Sequence, residues 1–114
     1  MIRLRDNADA LEHSALYDQL TDCKNRKALD WAYTEKLEKY FPLAVVMCDI
    51  NGLKEINDQK GHDAGDKFIV QTAQTLKSVF GKRHVYRLGG DEFIAVLPNI
   101  THPAFQKLLE TAKS

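Results

Sequence analysis

The stretch Arg87-Leu88-Gly89-Gly90-Asp91-Glu92-Phe93 decides the fold, because it sets two glycines and two adjacent carboxylates between an apolar strand and its return. Its flanks, His84-Val85-Tyr86 and Phe93-Ile94-Ala95-Val96-Leu97, are rich in β-branched and aromatic residues. That spacing predicts a β-hairpin with Gly89-Gly90 at its tip. Glycine supplies the positive φ expected of so tight a turn. Bare backbone also lets a phosphate or a second chain approach the carboxylates of Asp91 and Glu92. Taken alone, the segment equally suits a solvated hairpin whose acids keep the turn soluble.

A second cluster changes that balance. Asp49-Ile50-Asn51-Gly52-Leu53-Lys54-Glu55-Ile56-Asn57-Asp58, followed by Gly61-His62-Asp63-Ala64-Gly65-Asp66, comes directly after the apolar run Leu43-Ala44-Val45-Val46-Met47-Cys48. The run has the form of a central strand buried on both faces, with Asp49 at its end. Ligands in sheet-and-helix proteins gather at strand ends, and a carboxylate there can bind a hard cation that also holds phosphate oxygens. Gly52 allows close backbone approach, and Lys54 can neutralise phosphate charge. Taken singly, Asp49 is a turn or cap residue and Lys54 an ordinary surface lysine.

Together the blocks resemble the GGDEF family, the diguanylate cyclases, whose fold is similar to polymerase palms and class III nucleotidyl cyclases. Three blocks match in order: Asp18-Gln19-Leu20-Thr21 with Asn25-Arg26, the Asp49 to Asp66 block, and Arg87 to Phe93. The resemblance covers roughly residues 16 to 113. It implies that Asp49, the main-chain carbonyl of Ile50, Asp91 and Glu92 hold one or two Mg²⁺ or Mn²⁺ ions. Such ions want oxygen ligands, and a pair can activate a 3′-hydroxyl while stabilising leaving pyrophosphate. It implies that Asp91 deprotonates that hydroxyl, with Glu92 and Lys54 completing the catalytic set. Asn57 and Asp66 match the family's guanine-recognising amide and carboxylate, suited to the base's edge acceptor and its N1 and N2 donors. Backbone around Gly52 and Leu53, with Lys54 and the bare Gly89 and Gly90, would cradle the phosphates.

The chain departs from the family pattern at several points. Asn51 stands where a second aspartate is common, and Leu53 where an aromatic is common. Phe80 and Arg83 occupy the positions of the family's product-binding Arg-x-x-Asp motif, so that inhibitory site is expected to be absent. Family domains run to about 160 residues, and this chain has 114, so the expectation is a domain whose closing strands and final helix are missing.

Composition narrows the remaining classes. Sixteen basic and sixteen acidic residues give a formal net charge of zero, so no global field draws the chain to nucleic-acid polymers or anionic membranes. No apolar run approaches the roughly 20 residues that span a bilayer, and the start lacks a signal-peptide core, which predicts a cytoplasmic location without direct membrane insertion. Cys23 and Cys48 lack metal-site spacing and are expected to be free thiols, Cys48 filling core space. His62 is expected in a turn.

Residues 1–17 predict a helix, with Leu4, Ala8, Leu11 and Ala15 on one stripe. Such a stripe packs on a partner helix or on its own domain; the resemblance implies the former, a signalling helix that joins an upstream sensor to the domain at residues 18–114 and pairs two subunits. Asp18 to Asp22 predicts a turn into a helix carrying Leu29, Tyr33, Leu37 and Tyr40, ended by Pro42. Trp31 falls off that stripe, as a residue of partial surface packing. A helix starting near Ala64 carries Ile69, Ala73, Leu76 and Phe80 on its buried face, and the last begins at His102 or Pro103, with Phe105, Leu108 and Leu109.

The expected architecture is α/β, a central mixed and largely antiparallel sheet flanked by helices. The strand ending at Asp49 and the hairpin should lie side by side at its centre. The expected function is condensation of two GTP into cyclic di-GMP and two pyrophosphates. Both bonds link different nucleotides, so the resemblance implies a homodimer with one GTP on each subunit. Two readings stand beside it: a catalytically silent GTP- or dinucleotide-binding regulatory module, and a related cyclase making other cyclic dinucleotides.

Overall fold

The computed structural model describes residues 15–35, 43–98 and 100–113. The elements that position the site are β1 (Lys24–Asn25), α1 (Arg26–Glu35), β2 (Leu43–Asp49), α2 (Leu53–Lys60), α3 (His62–Phe80), β3 (Val85–Gly89), β4 (Glu92–Pro98) and α4 (His102–Lys113). The four strands form one mixed sheet in the order β1-β3-β4-β2. β1 runs parallel to β3, while β3–β4 and β2–β4 are antiparallel.

Strand alternation sends side chains to two different layers. Phe93, Ala95 and Leu97 of β4 enter the main core with Ile69, Ala73, Leu76 and Phe80 of α3, and Ala44, Val46 and Cys48 of β2 pack against it. The four-, three- and four-residue steps on α3 put those positions on one face, as expected. Phe105 and Leu108 bring α4 to the same layer. Phe93 is almost completely buried, and its truncation to alanine would cost about 3–5 kcal/mol. On the opposite face, Ala28 of α1 packs with Tyr86 and Val96, flanked by Leu29, Leu43, Leu88 and Ile94.

Four sequence expectations change. Among the described residues β2 stands at one end of the strand order rather than at its centre, and on the face away from the main core Val45 is 52% and Met47 71% exposed. An apolar run cannot distinguish strands covered on two faces from strands covered on one. The hairpin tip shifts by one residue: Gly89 ends β3, Gly90 and Asp91 form the turn, and Glu92 starts β4. Neither Gly89 nor Gly90 takes a positive φ. His62 opens α3 instead of standing in a turn.

Two elements escaped the pattern. Leu53–Lys60 is a helix with no buried residue, so its short sequence carries little apolar periodicity. β1 has two residues, too few to alternate, and is held by its pairing with Tyr86 and Arg87. Asn25 explains its own place in the sequence: its Oδ1 accepts from the Ala28 amide at the start of α1, and its Nδ2 donates to the Ala15 carbonyl. The turn at Asp18–Asp22 forms as expected, with the Asp22 amide donating to the Asp18 carbonyl. Most of the expected N-terminal helix, and Leu37, Tyr40 and Pro42, lie outside the described residues.

Candidate active site

Asp49 ends β2 and Glu92 begins β4, and the ladder sets them directly opposite each other. Opposed residues of an antiparallel pair project to the same side, about 4.5–5.5 Å apart at Cβ. The Ile50 amide donates to the Asp91 carbonyl at 3.0 Å, so the ladder continues into the turn and Asp91 follows next to the pair. Ile50 points its side chain into the main core. All three acids are exposed. None of them makes an ion pair or a side-chain hydrogen bond among the described residues.

Two like charges facing each other without a counterion are destabilising. An oxygen-only donor set on both strands therefore suits a hard divalent cation. The acids are not a ready-made cage: among the described residues no group of three or more His, Cys, Asp and Glu is gathered to hold a metal ion. The arrangement is a facing pair with a third acid on the adjoining turn. A Cβ at Gly89 or Gly90 would meet nothing within 4 Å, so this side of the turn lies open.

The other sequence-derived residues lie along the connection from β2. Gly52 caps α2 in the left-handed conformation, φ 80°, which a side chain would strain. Leu53 opens α2 and packs against the main core, and the next residue, Lys54, is exposed. Asn57, one turn later, lies over Gly65 of α3: a Cβ there would collide with Asn57 Oδ1 and come within 2.9 Å of its Cγ. Asp66 is the next residue and is exposed. The close approach of α2 and α3 thus brings Asn57 beside the segment carrying Asp66. Gly65 is glycine because the Asn57 amide occupies the space of a side chain.

A polar network behind the turn has no role assigned by sequence reasoning. One Arg87 Nη donates to both Asp18 oxygens, at 3.0 and 2.9 Å, and the other to the Gly90 carbonyl at 3.1 Å. Asp18 Oδ2 also accepts from the Thr21 amide and hydroxyl, at 2.9 and 2.8 Å. Lys77 Nζ, from α3, donates to the Thr21 carbonyl at 2.6 Å. Burial pushes the Asp18 carboxyl up, but the Thr21 and Arg87 hydrogen bonds and the Arg87 charge outweigh it and hold the group below the usual carboxylate range. The signal was present in the sequence, since both Asp18-Gln19-Leu20-Thr21 and Arg87 belong to matching blocks.

Burial pushes both thiols up, at Cys23 against an opposing hydrogen bond with Thr21 and at Cys48 with help from the Asp49 charge. Both are free. At the expected product-binding positions, Phe80 is buried in the main core and Arg83 is exposed. Phe80 offers no cation to a ligand.

The mixed sheet with helices on both faces, and acids meeting at a strand end beside a glycine turn, define a palm-like α/β domain of the nucleotidyl cyclase type. The family model described as "Diguanylate cyclase, GGDEF domain" matches residues 15–114. The chain belongs to the GGDEF family. The diguanylate cyclase TpbB of Pseudomonas aeruginosa is 39% identical over 100 residues, 83% of this chain and 23% of TpbB. An uncharacterized protein of Bacillus subtilis, YtrP, is 33% identical over 90% of this chain and 18% of its own length. The chain thus spans about a fifth of these curated relatives.

Among solved structures, the coiled coil and GGDEF domain of DgcB from Caulobacter crescentus in complex with c-di-GMP superposes with a TM-score of 0.84 at 30% identity, covering 96% of this chain and 60% of that one. Diguanylate cyclase SiaD of Pseudomonas aeruginosa, in complex with its activator SiaC, gives a TM-score of 0.78, also at 30% identity, covering 96% of this chain and 44% of that one. No helix among the described residues is long and apolar enough to cross a membrane.

Proposed function

We propose that this domain is a diguanylate cyclase, condensing two GTP into cyclic di-GMP with release of two pyrophosphates. The observation that carries the reading is the facing pair Asp49 and Glu92, with Asp91 in the turn beside them. In this reading the Asn57 amide and the Asp66 carboxylate recognise guanine, and the approach of Asn57 to Gly65 supports their joint action. The exposed Lys54 and the backbone at Gly52 and Leu53 hold the phosphates. Gly89 and Gly90 leave room for the nucleotide to reach the acids.

Mg²⁺ or Mn²⁺, held by Asp49, the Ile50 carbonyl, Asp91 and Glu92, would neutralise phosphate charge and favour ionisation of the attacking hydroxyl. Asp91 accepts the proton of the 3′-hydroxyl as its oxygen attacks the α-phosphorus of the opposing GTP. The new P–O bond forms while the bond to pyrophosphate breaks, and a second such step closes the ring. Each subunit contributes one GTP, so the active form is a homodimer with facing turns. The proposed setting is the cytoplasm, downstream of a sensor joined through residues 1–17.

A second reading, a silent dinucleotide-binding module, draws support from the DgcB domain's complex with c-di-GMP, since a related domain holds that dinucleotide. Incubation with GTP and Mg²⁺, with products resolved by chromatography and Asp91→Ala as control, separates the two. Cyclic di-GMP made by the parent alone is the expected result. Nucleotide binding without turnover in the parent would establish the module, and equal turnover by Asp91→Ala would remove Asp91 from its role.

A further inference from the structure

We infer that Arg87 is the positioning residue of the catalytic turn, tying the Gly90 carbonyl to the Asp18 carboxylate and so fixing the backbone from which Asp91 projects. This inference rests on the cyclase reading for its catalytic consequence, but its structural half stands on geometry alone.

The anchor end is held at several points. Asp18 is held by the Thr21 amide and hydroxyl, Thr21 is 5% exposed, and its carbonyl is held from α3 by Lys77. The Arg87 side chain is 13% exposed and that of Asp18 23%, so water competes weakly for their contact. The other end needs an anchor. The β3–β4 register shifts between Arg87 and Gly89, which interrupts the ladder just before the turn. Gly90 has no side chain with which to pack. Across the turn, the Ile50 amide holds the Asp91 carbonyl. Arg87 supplies the matching hold on the Gly90 carbonyl, so the two peptides that flank the Asp91 Cα are each held at their carbonyl, one by Arg87 and one by Ile50.

Only a guanidinium can do both tasks at once. Its two Nη groups point in fixed, divergent directions, one to the carboxylate and one to the carbonyl. A lysine ammonium keeps the charge opposite Asp18 but lacks the second planar donor. Stability and catalysis should therefore separate in Arg87→Lys, which a purely structural salt bridge would not allow. A misplacement of about 1 Å in a reacting group costs on the order of 100-fold in rate.

The test combines amide hydrogen exchange on the nucleotide-free protein with steady-state kinetics and thermal melting of Arg87→Lys and Arg87→Ala. Arg87→Lys is expected to keep most of the parent's melting temperature. The Ile50 and Glu92 amides should exchange about 10-fold faster while the middles of β2 and β4 are unchanged, and kcat should fall about 100-fold with KM for GTP within about 3-fold. Arg87→Ala should show the same turn and rate effects and a lower melting temperature. Unchanged exchange at Ile50 and Glu92 in folded Arg87→Lys overturns the inference, as does full recovery of kcat by lysine. If the parent makes no cyclic di-GMP, the cyclase reading fails, and the exchange measurement still decides whether Arg87 holds the turn.

Discussion

Asp49 stands directly opposite Glu92 at the end of the β2–β4 ladder, on the sheet face where Val45 and Met47 of the same strand are exposed. Two acids placed there repel each other across the ladder unless a cation lies between them. Neutralising either one should stabilise the metal-free protein while abolishing turnover. Asp49→Asn and Glu92→Gln are each expected to raise stability in EDTA by up to about 1 kcal/mol. Denaturant melts with and without Mg²⁺ check this, since added Mg²⁺ should stabilise the parent more than either variant.

Gly65 and Asn57 give a second separation of stability from function. In Gly65→Ala the new methyl displaces the Asn57 amide, a flexible group that can move. Alanine meanwhile favours helix by about 1 kcal/mol over glycine. The expected result is little change in melting temperature and a rise of about 10-fold in KM for GTP, the scale of one lost hydrogen bond. An equal proportional loss of affinity for inorganic triphosphate, which carries no base, measured by competition, would point to phosphate rather than base contacts.

The Asp18 carboxyl lies below its ordinary range in the folded chain. A depressed carboxylate contributes stability that is present above its unfolded pKa, about 3.9, and lost as pH falls through the lower folded value. Asp18→Asn should therefore be less stable than the parent at pH 7, by about 1.5–3 kcal/mol for hydrogen bonds to a charged group. The gap should close as pH falls below about 4. Urea midpoints at pH 7, 5, 4 and 3 measure it, and a gap constant with pH would remove the ionic contribution.

Cys23 is fully buried and Cys48 is half-buried, and burial raises both thiols. Thiolate is the reactive form. At pH 8 a disulfide reagent should titrate Cys48 slowly and Cys23 only after unfolding. Mass mapping of the labelled peptides distinguishes the two, and fast labelling of Cys23 in the folded protein would contradict its packing.

Much of this was legible in one dimension. Ile69, Ala73, Leu76 and Phe80 announce α3 because helical spacing and burial coincide. The hairpin is legible because two β-rich runs flank a glycine pair, and the three motif blocks carry the family. The turn conformation was not legible, since neither Gly89 nor Gly90 takes the positive φ that a glycine pair leads one to expect, and a Cβ at either would meet open space. β1 and α2 were hidden because neither has a buried apolar stripe to report it.

The sequence by itself determined the family, the residue types of the site and the helical core face, because each is written in local spacing and composition. Only the tertiary structure decided which residues meet. It put β2 at one end of the described strand order, set Asp49 across from Glu92, laid Asn57 over Gly65, and joined Asp18 to Arg87 across 69 positions. The physical reason is that strand order, register and ion-pair partners depend on contacts between distant segments, and those free energies exist only once the chain has folded.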